Sequence, residues 1–227
     1  MSYLDFYKLK ELPFNNVPDL RYFYKEPPFD EAIKKIGDSI KDGKRVITVI
    51  GGCGIGKTII SRKILNIFEK DSDNYEINLQ VYLHSDIAAG LFLHKLAMQL
   101  HLDVNDEKKG SFEDVTKKLC ELGDKGKHSI ILIDEANMIE KKEVYEEIRG
   151  LVDFMSDVQM GFSVVFFGLP ILEKKIAIDE PLSHRVETRV VLRPLPTTQA
   201  TVQYIEYRLN VSGNKKNIFN DEAYNEI

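Results

Sequence analysis

The chain has 227 residues, 43% hydrophobic and 30% charged, enough to bury a full core as one large domain or as one domain with a small appendage. A net charge of −5 and a pI near 5.6 exclude a global basic field that would hold the protein on nucleic acid or anionic lipid, leaving only local patches. Met1 to Glu11 mixes Asp5, Lys8 and Lys10 with apolar residues and is not a signal peptide, no apolar run reaches membrane-span length, and two scattered cysteines with five histidines make no zinc pattern, so a cytoplasmic protein is expected.

After an aromatic, proline-marked N-terminal segment (Pro13, Pro18, Pro27, Pro28), Asp30 to Lys41 reads as a helix with Ile33, Ile36 and Ile40 on one face. Val46 to Ile50 is a β-branched run of the kind that forms a buried parallel strand, and glycines follow at 51, 52, 54 and 56. Gly51, four intervening residues, Gly56, Lys57 and Thr58 match the phosphate-binding loop, in which backbone N–H groups and a helix N-terminus surround the α and β phosphates. Lys57 is the candidate for the β and γ phosphates, and the Thr58 hydroxyl for Mg²⁺. The nucleotide-binding set is Gly51, Gly52, Cys53, Gly54, Ile55, Gly56, Lys57, Thr58 and Ile59. Ile60, Ile64, Ile67 and Phe68 then recur at helical spacing, supplying the helix the loop needs. Cys53 is a small loop residue whose accessible thiol would make nucleotide binding oxidation-sensitive.

Ile77 to Leu83 alternates like a strand, Ile87 to Leu102 reads as an apolar helix, and Ser111 caps a helix with Phe112, Val115 and Leu119 inward and Asp114 at the capping-box position. His128 to Asn137, HSIILIDEAN, is an apolar strand ending in two carboxylates, which open α/β sheets place in the ligand crevice. Asp134 is the candidate metal residue beside Thr58, and Glu135 the candidate to orient or deprotonate a water; the bland alternative is that both cap the following helix. Lys142 to Asp157 is a helix with Val144, Ile148, Leu151 and Met155 inward, and Phe162 to Phe167 and Val186 to Leu192 are further strands. This alternation predicts an α/β fold with a five-stranded parallel sheet between helix layers.

Past Pro194 only helices are predicted: Thr197 or Thr198 caps one with Val202, Ile205 and Leu209 inward, Gly213 ends it, and Phe219 and Tyr224 form a hydrophobic staple around Asn220. A second helix from Asp221 runs out at Ile227, too short to be stable alone, so the sequence is expected to end inside a helical lid. The division is residues 1–193, a nucleotide-binding α/β domain with its N-terminal segment, and 194–227, a partial lid.

The loop GGCGIGKT, the DEAN box, VVFFGLPILEKKI, LSHRV and RPLPTTQATVQYIEYRLNVSG, in that order, resemble the AAA+ P-loop ATPases of the general secretion pathway protein A (ExeA-like) group. The opening YLDFYKLKELPFNNVPDLRYFY, followed by DEAIKKIGDSI, is similar too, and the group also includes pilus-biogenesis and transposon target-selector ATPases. The resemblance implies ATP or ADP with Mg²⁺ as cofactors and places Lys57, Thr58, Asp134 and Glu135 in the roles given above. It adds Arg185, in LSHRV, as an arginine finger reaching the γ-phosphate of a neighbouring subunit, so hydrolysis is expected to depend on a ring or filament of the chain itself with shared ATP sites. The bland alternative pairs Arg185 with Glu187; Arg189 is a lesser candidate finger, and Pro13 and Phe14 match the segment beside the adenine or serve as a hydrophobic anchor.

Two departures stand out. Leu169 in FGLP replaces the polar sensor residue that helps position the water or γ-phosphate, which predicts slow turnover or a substitute donor, and the lid sensor arginine is expected beyond Ile227. The expected role is an ATPase driving assembly of a cell-envelope machine of secretion or pilus type, with an envelope-assembly protein as partner and attachment to the inner membrane only through regions beyond residue 227. The rivals are an ATP-dependent DNA-binding regulator of transposition, for which Lys108, Lys109, Lys125 and Lys127 would form a local basic rim, and a nucleotide-gated scaffold with slow turnover.

Overall fold

Five runs of β-branched and aromatic residues pair into one parallel sheet in the order β2-β3-β4-β1-β5, where β1 is Val46–Ile50, β2 Tyr75–Val81, β3 His128–Asp134, β4 Phe162–Gly168 and β5 Val186–Val191. The computed structural model describes residues 2–85, 90–104, 110–214 and 218–226. The sheet is buried on both faces, as parallel sheets require, and the strand period of two sorts its side chains. Ile47, Val49, Ile130, Leu132, Val165 and Phe167 pack on one face against helices α2 (Pro27–Lys41) and α3 (Lys57–Glu69). Val46, Ile50, Ile131, Ile133, Phe162, Val164 and Phe166 face α4 (Leu91–Gln99), α5 (Phe112–Asp124) and α6 (Lys142–Asp157). The central strands β1, β3 and β4 are the most apolar because helices cover them on both sides.

Edge strand β5 has buried Val190 between exposed Arg189 and Val191, and its charged residues suit a strand with one unpaired side. The interior hydroxyl of Ser163 on β4 donates to Lys44 O at 2.5 Å and lies 2.8 Å from His128 Nε2, which removes the cost of burying it. The predicted α2 starts three residues earlier than its apolar period suggests, because Pro27 occupies the first helical turn, where a missing N–H costs nothing. The predicted capping box at Ser111 and Asp114 forms with both of its hydrogen bonds. The helix expected from Ile87 is observed from Leu91; residues 86–89 lie outside the described part, as do Lys108 and Lys109 of the expected basic rim.

Between β4 and β5 the chain makes two short helices, α7 (Leu172–Ile176) and α8 (Glu180–Ser183). After β5 come α9 (Thr198–Val211), capped by Thr197, and α10 (Asp221–Asn225), capped by Asn220 with Phe219 and Tyr224 rings stapled 5.8 Å apart. Of the three α9 residues expected inside, Leu209 is buried while Val202 and Ile205 are half-buried. The reason is what α9 covers: it lies on the N-terminal segment rather than on the sheet.

That segment runs from α1 (Tyr3–Tyr7) through a 3₁₀ turn at Leu20–Tyr22 and is pinned to α9 by polar contacts. Lys10 N donates to Ser212 O at 2.8 Å, Tyr22 Oη lies 2.8 Å from Ser212 Oγ, Tyr207 Oη donates to Arg21 O at 2.8 Å, and Asn214 Nδ2 donates to Tyr7 O at 2.7 Å. Arg208 donates to Pro13 O, to Asn15 O at 3.1 Å and to Tyr204 Oη at 2.8 Å, with its guanidinium 4.7 Å from the Tyr22 ring centre. The fork of Arg21 on Asp19 and Glu11 shapes the turn and holds both carboxyls below the usual carboxylate range.

Candidate functional site

The loop of residues 51–56 leaves the carboxyl end of β1, an interior strand between β4 and β5, on the side where an open α/β sheet forms its crevice. Gly51 N still reaches Gly168 O of β4 at 3.1 Å, and a Cβ on Gly51 would stand 3.1 Å from Leu192 Cβ, so a larger residue would have to push Leu192 aside. Gly54 and Gly56 have φ of +72° and +99°, a left-handed backbone that side chains resist. The loop delivers α3 with Gly56 as its N-cap and no side chain on its first N–H groups. These uncapped donors and the positive end of a thirteen-residue helix form an anion-binding terminus.

Lys57 is 5% exposed, and its ammonium donates to Gly52 O at 2.8 Å and Gly51 O at 3.2 Å, which holds the charge inside the loop. Across the crevice, Asp134 ends β3 with its side chain fully buried. One carboxylate oxygen accepts from Glu135 N at 3.0 Å, and the other lies 3.3 Å from Ser61 Oγ, whose single proton it shares with Thr58 O at 3.0 Å. Asp134 is thereby tied to the first turn of α3, next to Thr58.

Glu135 follows with φ 52° and ψ 37°, a left-handed backbone that carboxylate residues adopt rarely and that clusters at functional sites. Glu135 stands at the N-cap position of a 3₁₀ turn, Ala136–Met138, but its carboxylate makes no capping bond there, and α6 begins only at Lys142. Glu135, Thr58 and the loop from Gly52 onward line one cavity of about 850 Å³, within the range of small-molecule sites. Its remaining walls are Asn15 to Asp19, Tyr22, Phe23, Tyr24 and Phe29 from the N-terminal side, and Pro194, Leu195, Thr201, Tyr204 and Arg208 from the C-terminal side. Motif reading misses these walls; the aromatic run RYFY and the Tyr204–Arg208 pair at i, i+4 are the signal for them.

The residues fit a nucleotide with Mg²⁺. Among the described residues no three His, Cys, Asp or Glu side chains form a metal cluster, so an ion held by Thr58 and Asp134 would need phosphates and water for the rest of its shell, the usual arrangement for Mg²⁺.

Several expectations shift in detail. Pro13 and Phe14 line an adjoining apolar hollow of about 370 Å³, and the cavity wall begins two residues later at Asn15. Arg185 does not pair with Glu187, which instead meets Arg45 N and Lys44 Nζ; Arg185 puts its fork on Asp153 of α6 and donates through Nη1 to Pro181 O at 2.6 Å. Arg189 is taken by Glu173. Leu169 offers its backbone N–H to Asn137 Oδ1 at 2.9 Å, so a buried amide stands beside the position where a polar sensor was expected. Cys53 is exposed on the loop.

Residues 40–176 match the family described as AAA domain. General secretion pathway protein A of Aeromonas hydrophila is 28% identical over 223 residues, 97% of this chain and 40% of that protein, so the chain spans less than half the length of this relative. The Aeropyrum pernix ORC2 protein, solved in ADPNP–ADP complexes, superposes with a TM-score of 0.63 over 84% of this chain and 55% of its own, at 11% identity. The Aeropyrum pernix ORC1 protein in complex with DNA gives 0.65 over 87% and 52%, at 13% identity, a likeness of fold alone.

Proposed function

The chain belongs to the AAA domain family, and from that premise we propose that it binds and hydrolyses Mg-ATP and uses the cycle to drive assembly of a cell-envelope machine of secretion or pilus type. The observation that carries the chemistry is the uncapped N-terminus of α3, with Lys57, facing Glu135 across one cavity, and buried Asp134 tied to the same helix through Ser61. The secretion assignment follows the relative's name and the match over 97% of the chain.

In this reading the loop N–H groups and Lys57 bind the phosphates, and the α3 terminus stabilises the charge they carry. Thr58 and Asp134 hold Mg²⁺, which when bound neutralises charge shared between the β and γ phosphates. Glu135, which lines the cavity, orients the attacking water and takes its proton. Asn137, through its bond to Leu169 N, fixes the end of β4 beside that water and substitutes for the missing polar sensor. The segment 10–24 and α9 exclude solvent from the other side, residues 194–227 acting as the lid. Arg185 works from a neighbouring subunit, so turnover depends on assembly into a ring or filament.

Lys57→Ala should weaken ATP binding at least tenfold. Glu135→Gln should keep the affinity and lower turnover by roughly 10²–10⁴. Wild-type turnover in Glu135→Gln would remove Glu135 from its role, and unchanged ATP affinity in Lys57→Ala would remove the phosphate loop. Oligomerisation that requires DNA and weakens steeply with salt would move the role from envelope assembly to DNA.

A further inference from the structure

Helix α6 carries Arg149 and Asp153 four residues apart, and together they hold α8 and its C-terminal exit. Arg149 Nε donates to both carboxylate oxygens of Asp179 at 3.1 Å, and Asp179, 1% exposed, caps the first turn of α8 by accepting from Leu182 N at 2.8 Å. At the other end Arg185 sets Nε and Nη2 on the two oxygens of Asp153, with Nη2 at 2.9 Å, and Arg149 Nη1 stands 3.9 Å from the same carboxylate. Asp153 therefore lies between two guanidinium groups, one fixed and one at the protein surface.

Burial separates the two pairs. Parting Arg149 from Asp179 would strand a buried carboxylate, so that pair is an anchor. The Asp153 and Arg185 side chains are 33% and 36% exposed, where water screens the attraction and solvates both partners once they part. A phosphate offers the same fork more negative charge than a carboxylate does, so it displaces Asp153 when it comes within reach.

Resting on the reading of Arg185 as the residue that reaches a neighbouring subunit's phosphate, we propose that Asp153, by its bidentate contact across α6 and the end of α8, is the positioning residue for Arg185. It holds the guanidinium against its own subunit until assembly brings the phosphate of another. The contact occupies the N–H groups that the phosphate needs, so it competes with assembly. The competition sets the subunit concentration at which shared sites form.

The test is ATP turnover per subunit across a range of subunit concentrations for wild type, Asp153→Asn, Asp153→Glu and Arg185→Ala. Asp153→Asn should reach half-maximal turnover at a roughly two- to fivefold lower concentration, the span expected for an exposed ion pair. Asp153→Glu, which restores a carboxylate, should return the wild-type midpoint. A merely structural Asp153 would lower the plateau and the melting temperature without moving the midpoint to lower concentration. If Arg185→Ala loses turnover while Asp153→Asn keeps the wild-type midpoint, the positioning role is overturned and Arg185 stands; if Arg185→Ala follows the wild-type curve, the reading beneath it fails. Should Asp153→Asn melt early, Asp153→Ser answers in the same assay.

Discussion

Arg208 offers the sharpest test of whether the N-terminal segment is a wall of the nucleotide site. Its guanidinium donates to the carbonyls of Pro13 and Asn15 and stacks 4.7 Å from the Tyr22 ring centre. Arg208→Met keeps the aliphatic stem and removes these contacts. Two charge-assisted bonds, partly exposed, contribute about 1 kcal/mol each, and a cation–π contact at such a site about 0.5 kcal/mol, so attachment of the segment weakens by roughly 2.5 kcal/mol. The Ser212, Tyr207 and Asn214 contacts remain and absorb part of the loss. Apparent affinity falls only as the attached state becomes less populated, and about 2.5 kcal/mol corresponds to about 70-fold at most, so ATP should bind roughly 3- to 70-fold more weakly. Titration calorimetry at fixed salt measures this directly. Limited trypsin digestion reports the attachment independently, since Lys8, Lys10, Arg21 and Lys25 are exposed in the segment and should be cut faster in the variant. Faster cleavage with ATP affinity unchanged within twofold would refute the wall; no change in either would refute Arg208 as the pin.

Burial and the charge of Arg45 push the His128 imidazole down to about 4. The unfolded chain takes up this proton below pH 6.5 while the folded chain does not, so stability is full above that pH and is lost as pH falls from about 6.5 to about 4, on the order of 2 kcal/mol for a largely buried ring. His128→Gln should flatten the fall in melting temperature between pH 7.5 and 4.5, and equal slopes in the two proteins would sink the assignment. Alkylation of Cys53 by N-ethylmaleimide should abolish ATP binding, with bound ATP protecting the thiol, whereas half-buried Cys120, its thiol raised by burial, should react more slowly; mass spectrometry of both peptides with and without ATP decides it. A Cβ on Gly168 would stand 2.9 Å from both Asn137 Oδ1 and Leu172 Cδ2, so Gly168→Ala should cost about 1–3 kcal/mol in denaturant unfolding and lower turnover by displacing Asn137, and an unperturbed midpoint would count against that packing.

The sheet and the phosphate loop are legible in the sequence because each rests on local rules. A β-branched run with glycines at fixed offsets and an apolar helix behind them admits few backbones, and the observed β1, Val46–Ile50, has the predicted bounds. The same holds for α6, whose inward residues Val144, Ile148, Leu151 and Met155 are all fully buried. The partner of Arg185 is not legible in this way. Glu187 is two residues away and would share a strand face with Arg185, but Arg185 ends the α8 turn rather than belonging to β5. Asp153, 32 residues earlier, meets it only because α6 and α8 pack side by side. Likewise the N-terminal wall of the cavity starts at Asn15 rather than at Pro13 and Phe14, in a segment tied by the Arg21 fork on Asp19, a contact no periodicity encodes.

The two halves of the cavity are held by different physics, and this bears on how the site works. Its floor, the loop with Asp134 and Glu135, grows from central strands with helices on both faces, where any displacement opens the core. Its walls join residues 186 to 195 positions apart through hydrogen bonds that are largely partly exposed, with Leu209 the one fully buried apolar residue of the second half of α9. Local opening is drawn from such weakly buried contacts, so the segment and α9 should separate from the sheet long before the loop does. A nucleotide touching both halves closes that separation and is stabilised by it. ATP should therefore slow amide exchange in residues 10–24 and 198–212 far more than in β1 or β3, and equal protection throughout would mean that the walls are as firm as the floor.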